Sequence, residues 1–205
     1  YGGTGQFLAD GLTVFLFDGD TPTFNAGGFG GSLGYAPRNQ EPGLSNAYLG
    51  IGFDEYGGFG TNQEGRLGSF SVVDQNGRAP DAIVLRGPSS QGYPFVVGRR
   101  TNEVGADKNG LNAGDQFTIS SGGAGTSRVT DPTLPGYRKV FLELQPNVSG
   151  PGFFLKLTME VTTELNKPRR VTIFDGAYQF PAPKNLKIGF SGSTGGMTNF
   201  HEIRN

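Results

Sequence analysis

The chain has 205 residues, a formal charge of −1, and unusually many glycines (36) and prolines (13). Because a glycine inside a helix costs about 1 kcal/mol relative to alanine, this composition excludes a mostly helical protein. There is no basic excess of the kind that nucleic-acid-binding proteins carry, and the absence of cysteine excludes disulfides, thiolate metal sites and a cysteine nucleophile.

The aromatic content indicates a substantial core. The chain contains 17 Phe and 7 Tyr, and so many large apolar side chains are stable only when most are buried. No apolar stretch is long enough to span a bilayer, and no signal peptide is recognisable. The chain opens at Tyr1 rather than Met, which we interpret as a processed product or a fragment.

Short apolar runs separated by glycine-rich turns predict strands along the chain. In chain order they are 12–17, 47–53, 69–73, 82–85, 116–119, 138–144, 153–161, 171–174, 186–190 and 200–203. The runs 138–144 and 153–161 alternate around a turn-rich connection, which favours a hairpin. The connections 18–46, 54–68 and 98–115 are predicted to be long loops, which commonly carry function on a β scaffold. No linker divides the chain, so we predict one all-β domain over residues 1–205.

Four sequence blocks follow one another in a particular order. They are Ala9-Asp-Gly-Leu12, Gly27-Gly-Phe-Gly-Gly-Ser-Leu-Gly-Tyr35, Tyr48-Leu-Gly-Ile-Gly-Phe-Asp-Glu-Tyr56, and Ile188-Gly-Phe-Ser-Gly-Ser-Thr-Gly195 followed by Phe200-His-Glu-Ile203. This order resembles the L-type lectins, and the detail is closer to their bacterial branch than to the legume lectins. The resemblance implies a jelly-roll, concanavalin-like sandwich of two antiparallel sheets, with a sugar site on loops at one end.

The resemblance assigns sugar-binding roles to residues in three loops. Asp10 matches an aspartate that follows a cis peptide and accepts hydrogen bonds from two sugar hydroxyls. Gly31 matches a backbone N–H donor, at a place where a side chain would block the sugar ring. Gly58 stands where legume lectins carry an asparagine that binds both calcium and sugar. Gly196 and Met197 lie in the loop 195–199, which completes the family's pocket.

The metal site departs from the family pattern. Legume lectins read Glu-Phe-Asp-x-Tyr-x-Asn on the metal-binding strand, with a histidine further on. Here the first and last positions of that motif are Gly52 and Gly58, and the single histidine, His201, lies in the terminal block. We therefore expect no transition metal.

This interpretation leaves open whether the protein binds calcium. Asp54, the carbonyl of Tyr56 and loop oxygens near Asn62 and Glu64 are the candidate ligands, because calcium accepts mixed carboxylate and carbonyl oxygens.

The resemblance also predicts that family strands are missing at both termini, which would leave unpaired sheet edges. Either a longer protein or a neighbouring chain would then supply the missing strands. A homo-oligomer or filament formed through these open edges is one consequence.

We expect a non-enzymatic carbohydrate-binding module with a glycan ligand, no nucleic-acid partner and no membrane insertion. Its expected setting is extracellular, on a bacterial surface or adhesive protein. The alternative is a structural subunit or spacer of an extracellular filament or adhesin with a degenerate sugar site. A glycoside hydrolase is disfavoured, because the adjacent Asp54 and Glu55 should point to opposite faces of a strand and cannot flank one glycosidic bond.

Overall fold

The structure is a computed structural model that describes residues 8–119, 129–197, 199 and 201–203. The strands in this part of the chain are β1 Gly11–Asp18, β2 Ala47–Asp54, β3 Ala82–Arg86, β4 Phe95–Val104, β5 Gly110–Leu111, β6 Arg138–Pro146, β7 Phe153–Thr162, β8 Pro168–Tyr178 and β9 Leu186–Ser193. Short 3-10 helices lie in the connections, at Gly30–Ser32, Gln63–Gly65, Ser89–Gln91 and Ala106–Lys108. No helix of the described residues is long and apolar enough to cross a membrane.

The strands form two sheets that pack as a sandwich. The larger sheet has the order β5-β4-β3-β2-β1-β9, and the smaller has the order β6-β7-β8. Every pair is antiparallel except the short β4–β5 pair, which is parallel. The predicted all-β sandwich is confirmed, including the β6–β7 hairpin, whereas the jelly-roll connectivity stays a prediction.

Three of the predicted strands need correction. Segments 69–73 and 116–119 are irregular, although the side chains of Phe70, Phe117 and Ile119 are buried. Residues 201–203 are not a strand either, and Phe200 lies outside the described residues. A buried apolar side chain leaves the same sequence signal whether its backbone joins a sheet or only packs on one.

Strand β4 was missed because it lies largely within the predicted loop 98–115. Its sequence is FVVGRRTNEV, in which the apolar side chains are confined to the first three residues and the last. It pairs with β3 from Ala82↔Arg100 to Arg86↔Phe95. The backbone pairing, not apolar periodicity, makes this segment a strand.

The centre of the six-stranded sheet is buried on both faces, and every residue of β2 is buried. One face packs on the smaller sheet, where Ile51 and Phe53 share a core with Leu155 and Leu157. The other face is covered by the long loops. A second core there contains Leu33, Tyr35, Leu44, Phe59 and Phe70.

Glycines in the strands make room for the aromatic rings of this second core. A Cβ on Gly50 would lie 2.6 Å from the ring of Tyr35. A Cβ on Gly52 would lie 2.2 Å from the ring of Phe59. These contacts hold the loops against the sheet and position the end of the sandwich where the loops meet.

The smaller sheet covers only part of the larger one. Leu157 of β7 and Ile173 of β8 line a small cavity with Ile83 of β3 and Val97 of β4, so β7 and β8 lie over β3 and β4. On the opposite side, Ile188 and Phe190 of β9 are exposed. In the described part of the chain, β6 and β9 are edge strands.

Candidate functional site

Asp10 lies at the end of the six-stranded sheet, just before β1, and is only 5% exposed. Its N–H donates to the Ser193 carbonyl (2.8 Å), and its own carbonyl accepts from the N–H groups of Glu55 (3.1 Å) and Tyr56 (3.2 Å). The Ala9–Asp10 peptide is cis, as the lectin resemblance implies. The ends of β2 and β9 therefore fix the backbone of this residue.

The Asp10 carboxylate is a buried acceptor that lacks a donor. Its Oδ2 atom has no hydrogen-bond partner among the described residues. Burial raises the pKa of Asp10 to about 6, with a smaller increase from Glu64 that Arg38 and Arg66 oppose. A Cβ on Gly195 would lie 3.1 Å from Oδ2, so the loop after β9 borders the carboxylate. Buried polar atoms nearly always find a partner, and a ligand hydroxyl could supply this one.

Gly31 and Gly58 form a floor without side chains. A Cβ on Gly31 would lie 3.1 Å from the Cα of Gly58 and 3.5 Å from Nη2 of Arg66. Gly31 belongs to the 3-10 helix Gly30–Ser32, and Gly58 lies in the loop after β2. Gly31 is half-buried and can offer a ligand only backbone groups, whereas Gly58 is buried in this contact.

A charged cluster adjoins this floor. Glu64 bridges two arginines, with Oε1 3.0 Å from Arg38 Nε and Oε2 2.9 Å from Arg66 Nη1. Arg66 is buried and also donates to Ser32 Oγ at 2.8 Å. The Arg38 guanidinium lies 4.0 Å above the ring centre of Phe29, which is exposed. No sequence signal predicted a role for either arginine or for Phe29, and Glu64 was predicted only as a calcium ligand.

Asp54 organises the loop after β2. It is fully buried, and its two oxygens accept from the N–H groups of Gly57 (2.9 Å) and Gly60 (3.1 Å). Burial raises the pKa of Asp54 to about 7 although these hydrogen bonds lower it. Tyr56 contributes its ring to a stack with Arg78, whose guanidinium lies 4.5 Å from the ring centre.

The donor set around Asp54 fits a calcium ion poorly. Calcium requires six to eight oxygen ligands, and no group of three or more His, Cys, Asp and Glu side chains could hold a metal within the described residues. Both oxygens of Asp54 already accept backbone hydrogen bonds. Calcium at Asp54 and Tyr56 stays a prediction, and no step of the proposed function depends on it.

Glu55 directly follows β2, and its carboxylate has different partners from that of Asp54. It is buried, and its Oε2 accepts a hydrogen bond from the Asn199 side chain. Its Oε1 has no hydrogen-bond partner among the described residues, and burial raises the pKa of Glu55 to about 7. The bond to Asn199 ties the segment after β9 to the end of β2.

A buried arginine holds the loops that carry the charged cluster. Arg86 of β3 is fully buried and donates to the carbonyls of Phe59 (2.9 Å), Thr61 (2.9 Å), Leu67 (2.9 Å) and Tyr93 (2.8 Å). Burial lowers its pKa to about 9. These bonds satisfy loop carbonyls that would otherwise be buried without donors.

The remaining predicted residues lie at the margin of the site. Gly196 is exposed, and a Cβ there would meet nothing within 4 Å. Met197 is half-buried, and Thr198 lies outside the described residues. His201 packs against Gly192 of β9, where a Cβ would lie 3.1 Å from Nδ1.

Comparison of the chain with protein-family models, with curated proteins and with solved structures finds no match. The resemblance to L-type lectins therefore depends on the four sequence blocks, and the function must be argued from the site.

Proposed function

We propose that this protein is a carbohydrate-binding module without catalytic activity, and that a glycan binds at the loop end of the sandwich around Asp10. The observation that carries the proposal is the Oδ2 atom of Asp10, a buried acceptor with no hydrogen-bond partner among the described residues. Sugar hydroxyls are donors that can satisfy such an oxygen, and charge-assisted hydrogen bonds of this kind are among the stronger ones.

The surroundings of Asp10 support a flat, hydroxyl-rich ligand. Gly31 is half-buried and has no side chain, which permits close approach of a ring, and Gly58 is buried against it. Phe29 is 53% exposed beside them and offers an apolar surface. Gly196 and Met197 lie on the loop after β9, which borders the Asp10 carboxylate.

The acidic groups near the site do not favour hydrolysis. Both oxygens of Glu64 are engaged by Arg38 and Arg66, so Glu64 is not placed to give a proton to a leaving group. Glu55 accepts a hydrogen bond from Asn199, whereas Asp54 accepts from Gly57 and Gly60. Glycoside hydrolysis requires two carboxyl groups that flank one bond.

The resemblance to bacterial L-type lectins supports an extracellular setting, on a cell surface or an adhesive protein. A glycan array with the wild type, Asp10→Asn and the control Asp175→Asn tests the proposal. Asp175 is a 62% exposed aspartate in the smaller sheet. We expect the wild type and the control to bind the same glycans, and Asp10→Asn to bind them at least about tenfold more weakly. Unchanged binding by Asp10→Asn contradicts the site, and no binding by the wild type contradicts the function.

A structural subunit of a filament or adhesin is the second candidate. The exposed Ile188 and Phe190 on the edge strand β9, together with the exposed Val140 on the edge strand β6, favour it. Unpaired edges with apolar residues are surfaces on which another strand can add. Sedimentation at micromolar and nanomolar concentrations tests this candidate. It predicts an oligomer that Phe190→Lys dissociates, and a wild-type monomer at both concentrations contradicts it.

A further inference from the structure

The side chain of Arg38 is held in place at the edge of the site. Its guanidinium stacks on Phe29 at 4.0 Å, and its Nε donates to Glu64 at 3.0 Å. A Cβ on Gly28 would lie 2.4 Å from Arg38 Cβ, so the stem of the arginine lies directly against the glycine loop. The arginine is therefore ordered before any ligand arrives.

The two Nη atoms of the Arg38 guanidinium form its outer edge, and their N–H groups have no acceptor among the described residues. Arg38 is 27% exposed, and its bond to Glu64 uses Nε alone. Within the described part of the chain, neither Nη atom donates a hydrogen bond. The second carboxylate oxygen of Glu64 is taken by Arg66, so one carboxylate serves two guanidinium groups.

Asp10 is the neighbouring carboxylate, yet it does not neutralise either arginine. The Asp10 carbonyl accepts from the N–H of Tyr56 (3.2 Å), two residues before Gly58. Gly58 packs on Gly31, where a Cβ would lie 3.5 Å from Nη2 of Arg66. The charges of Arg38 and Arg66 both lower the pKa of Asp10. No ion pair within 4.0 Å joins Asp10 to either arginine in the described residues. The candidate site therefore contains a carboxylate oxygen of Asp10 that lacks a donor, together with N–H groups of Arg38 that lack an acceptor among the described residues.

We propose that the ligand is an acidic glycan, in which a uronate carboxylate pairs with the outer edge of Arg38 while a hydroxyl of the same sugar donates to Asp10. The inference rests on the proposed carbohydrate-binding function and names its ligand class. A neutral hexose satisfies Asp10 and leaves the guanidinium facing water. A uronate satisfies both groups, because the planar fork of arginine matches a carboxylate with two parallel hydrogen bonds.

Calorimetric titration with matched sugar pairs tests the inference. The probes are the methyl glycosides of glucose and galactose, together with those of glucuronate and galacturonate. The proteins are the wild type, Arg38→Gln, Arg38→Lys and the control Arg170→Gln. Arg170 is an arginine in the smaller sheet that stacks on Phe141 at 3.8 Å, so the control removes the same kind of contact away from the site.

We expect the wild type to bind one uronate at least about tenfold more tightly than the matched neutral sugar, the range of a charge-assisted pair. Arg38→Gln should reduce this ratio to about one while the neutral sugar binds within about threefold of its wild-type affinity. Arg38→Lys, which keeps the charge but loses the fork, should retain part of the ratio. Arg170→Gln should retain all of it.

Two outcomes overturn the inference, and they differ from failure of the proposed function. Equal wild-type affinity for the uronate and the neutral sugar, or a ratio that survives Arg38→Gln, rejects the acidic ligand and leaves a neutral-sugar site. No binding of any of these sugars, nor of any glycan on the array, rejects both proposals. Thermal unfolding of each variant shows whether it is folded. If Arg38→Gln is not folded, Arg38→Lys replaces it in the comparison of the two affinities.

Discussion

The backbones of Gly31 and Gly58 are in direct contact, so that a Cβ on Gly58 would lie 2.9 Å from the Cα of Gly31. This contact joins the loop before β2 to the loop after it. In the legume lectins, which this sequence resembles, the position that matches Gly58 carries an asparagine. In this chain an asparagine at position 58 has no room unless the two loops separate, so packing requires glycine here.

Gly58→Asn should therefore destabilise the protein by about 1–3 kcal/mol, the usual cost of overpacking against rigid backbone. Urea unfolding of Gly58→Asn and of the control Gly196→Ala checks this. A Cβ on Gly196 meets nothing within 4 Å, and the control should be within about 0.5 kcal/mol of the wild type. A stable Gly58→Asn variant would show that the contact between the loops is dispensable.

Gly52 and Phe59 should be energetically coupled, because a Cβ on Gly52 would lie 2.2 Å from the Phe59 ring. Gly52→Ala should cost about 2–3 kcal/mol alone and much less in a Phe59→Leu background. The double-mutant cycle should give a coupling of at least about 1 kcal/mol. Gly189→Ala is the control, because its Cβ would meet Phe15 instead, and its cycle with Phe59→Leu should be additive within about 0.5 kcal/mol.

Sugar affinity should depend on pH through Asp10. Burial raises the pKa of Asp10 to about 6, and the ionised carboxylate is the better acceptor for a hydroxyl. Affinity for a neutral methyl glycoside should rise about tenfold from pH 5 to pH 7 and then level off, because the ionised fraction rises by that factor across a pKa of about 6. Asp10→Asn should bind weakly with no such dependence. A flat wild-type profile would mean that Asp10 does not contact the sugar.

Glu55 should make the fold less stable as the pH rises. Burial raises its pKa from 4.5 to about 7, so the folded protein binds this proton more tightly than the unfolded chain does. The stability contribution is therefore fully present below about pH 4.5, is lost as the pH rises to about 7, and stays lost above that.

Glu55→Gln removes this titration and keeps an acceptor for Asn199. Relative to the wild type, the variant should gain roughly 1–3 kcal/mol in unfolding free energy between pH 4 and pH 8. Urea unfolding at the two pH values measures the gain. Glu160→Gln is the control, because Glu160 lies 3.9 Å from the half-exposed Arg170 in a weak ion pair. A pH-independent difference between Glu55→Gln and the wild type would contradict the assignment.

Arg86→Met should destabilise the protein by more than about 3 kcal/mol, because it leaves several buried carbonyls without donors. The carbonyls of Phe59 and Thr61 each accept from Arg86 at 2.9 Å, so the loop beside the site should also loosen. Arg170→Met, at an arginine 52% exposed to solvent, should change stability by less than about 1 kcal/mol. Thermal and urea unfolding compare the two, and equal effects would contradict a structural role for Arg86.

The fold class could be predicted from the sequence because its signals are local. Glycine content excludes helices, and alternation over 138–144 and 153–161 reports a half-buried hairpin whatever lies around it. The continuous apolar run 47–53 marks a strand buried on both faces, and the run 12–17 marks a strand that is only partly buried on one face. The resemblance likewise pointed to Asp10, Gly31 and Gly58, because these positions lie in or beside its short sequence blocks.

Tertiary structure decided which segments cover the two faces of the six-stranded sheet. Phe70 and Phe117 are apolar because they fill the cores from irregular segments, and their sequence signal does not differ from that of a strand. Strand β4 was missed because pairing with β3 is a contact between distant segments, and polar residues such as Arg99 take part in it.

The charged half of the candidate site was also decided by the fold. Phe29 and Arg38 lie in the loop before β2 and Glu64 lies in the loop after it, so no spacing in the chain predicts that Glu64 and Arg38 pair. They meet because aromatic rings such as Tyr35 and Phe59 pack on strand glycines, and because Arg86 gathers the loop carbonyls. The sequence by itself determined a glycine-rich β-sandwich and the position of Asp10. Only long-range packing placed an arginine pair beside that carboxylate, because side-chain contacts between loops depend on the closed fold.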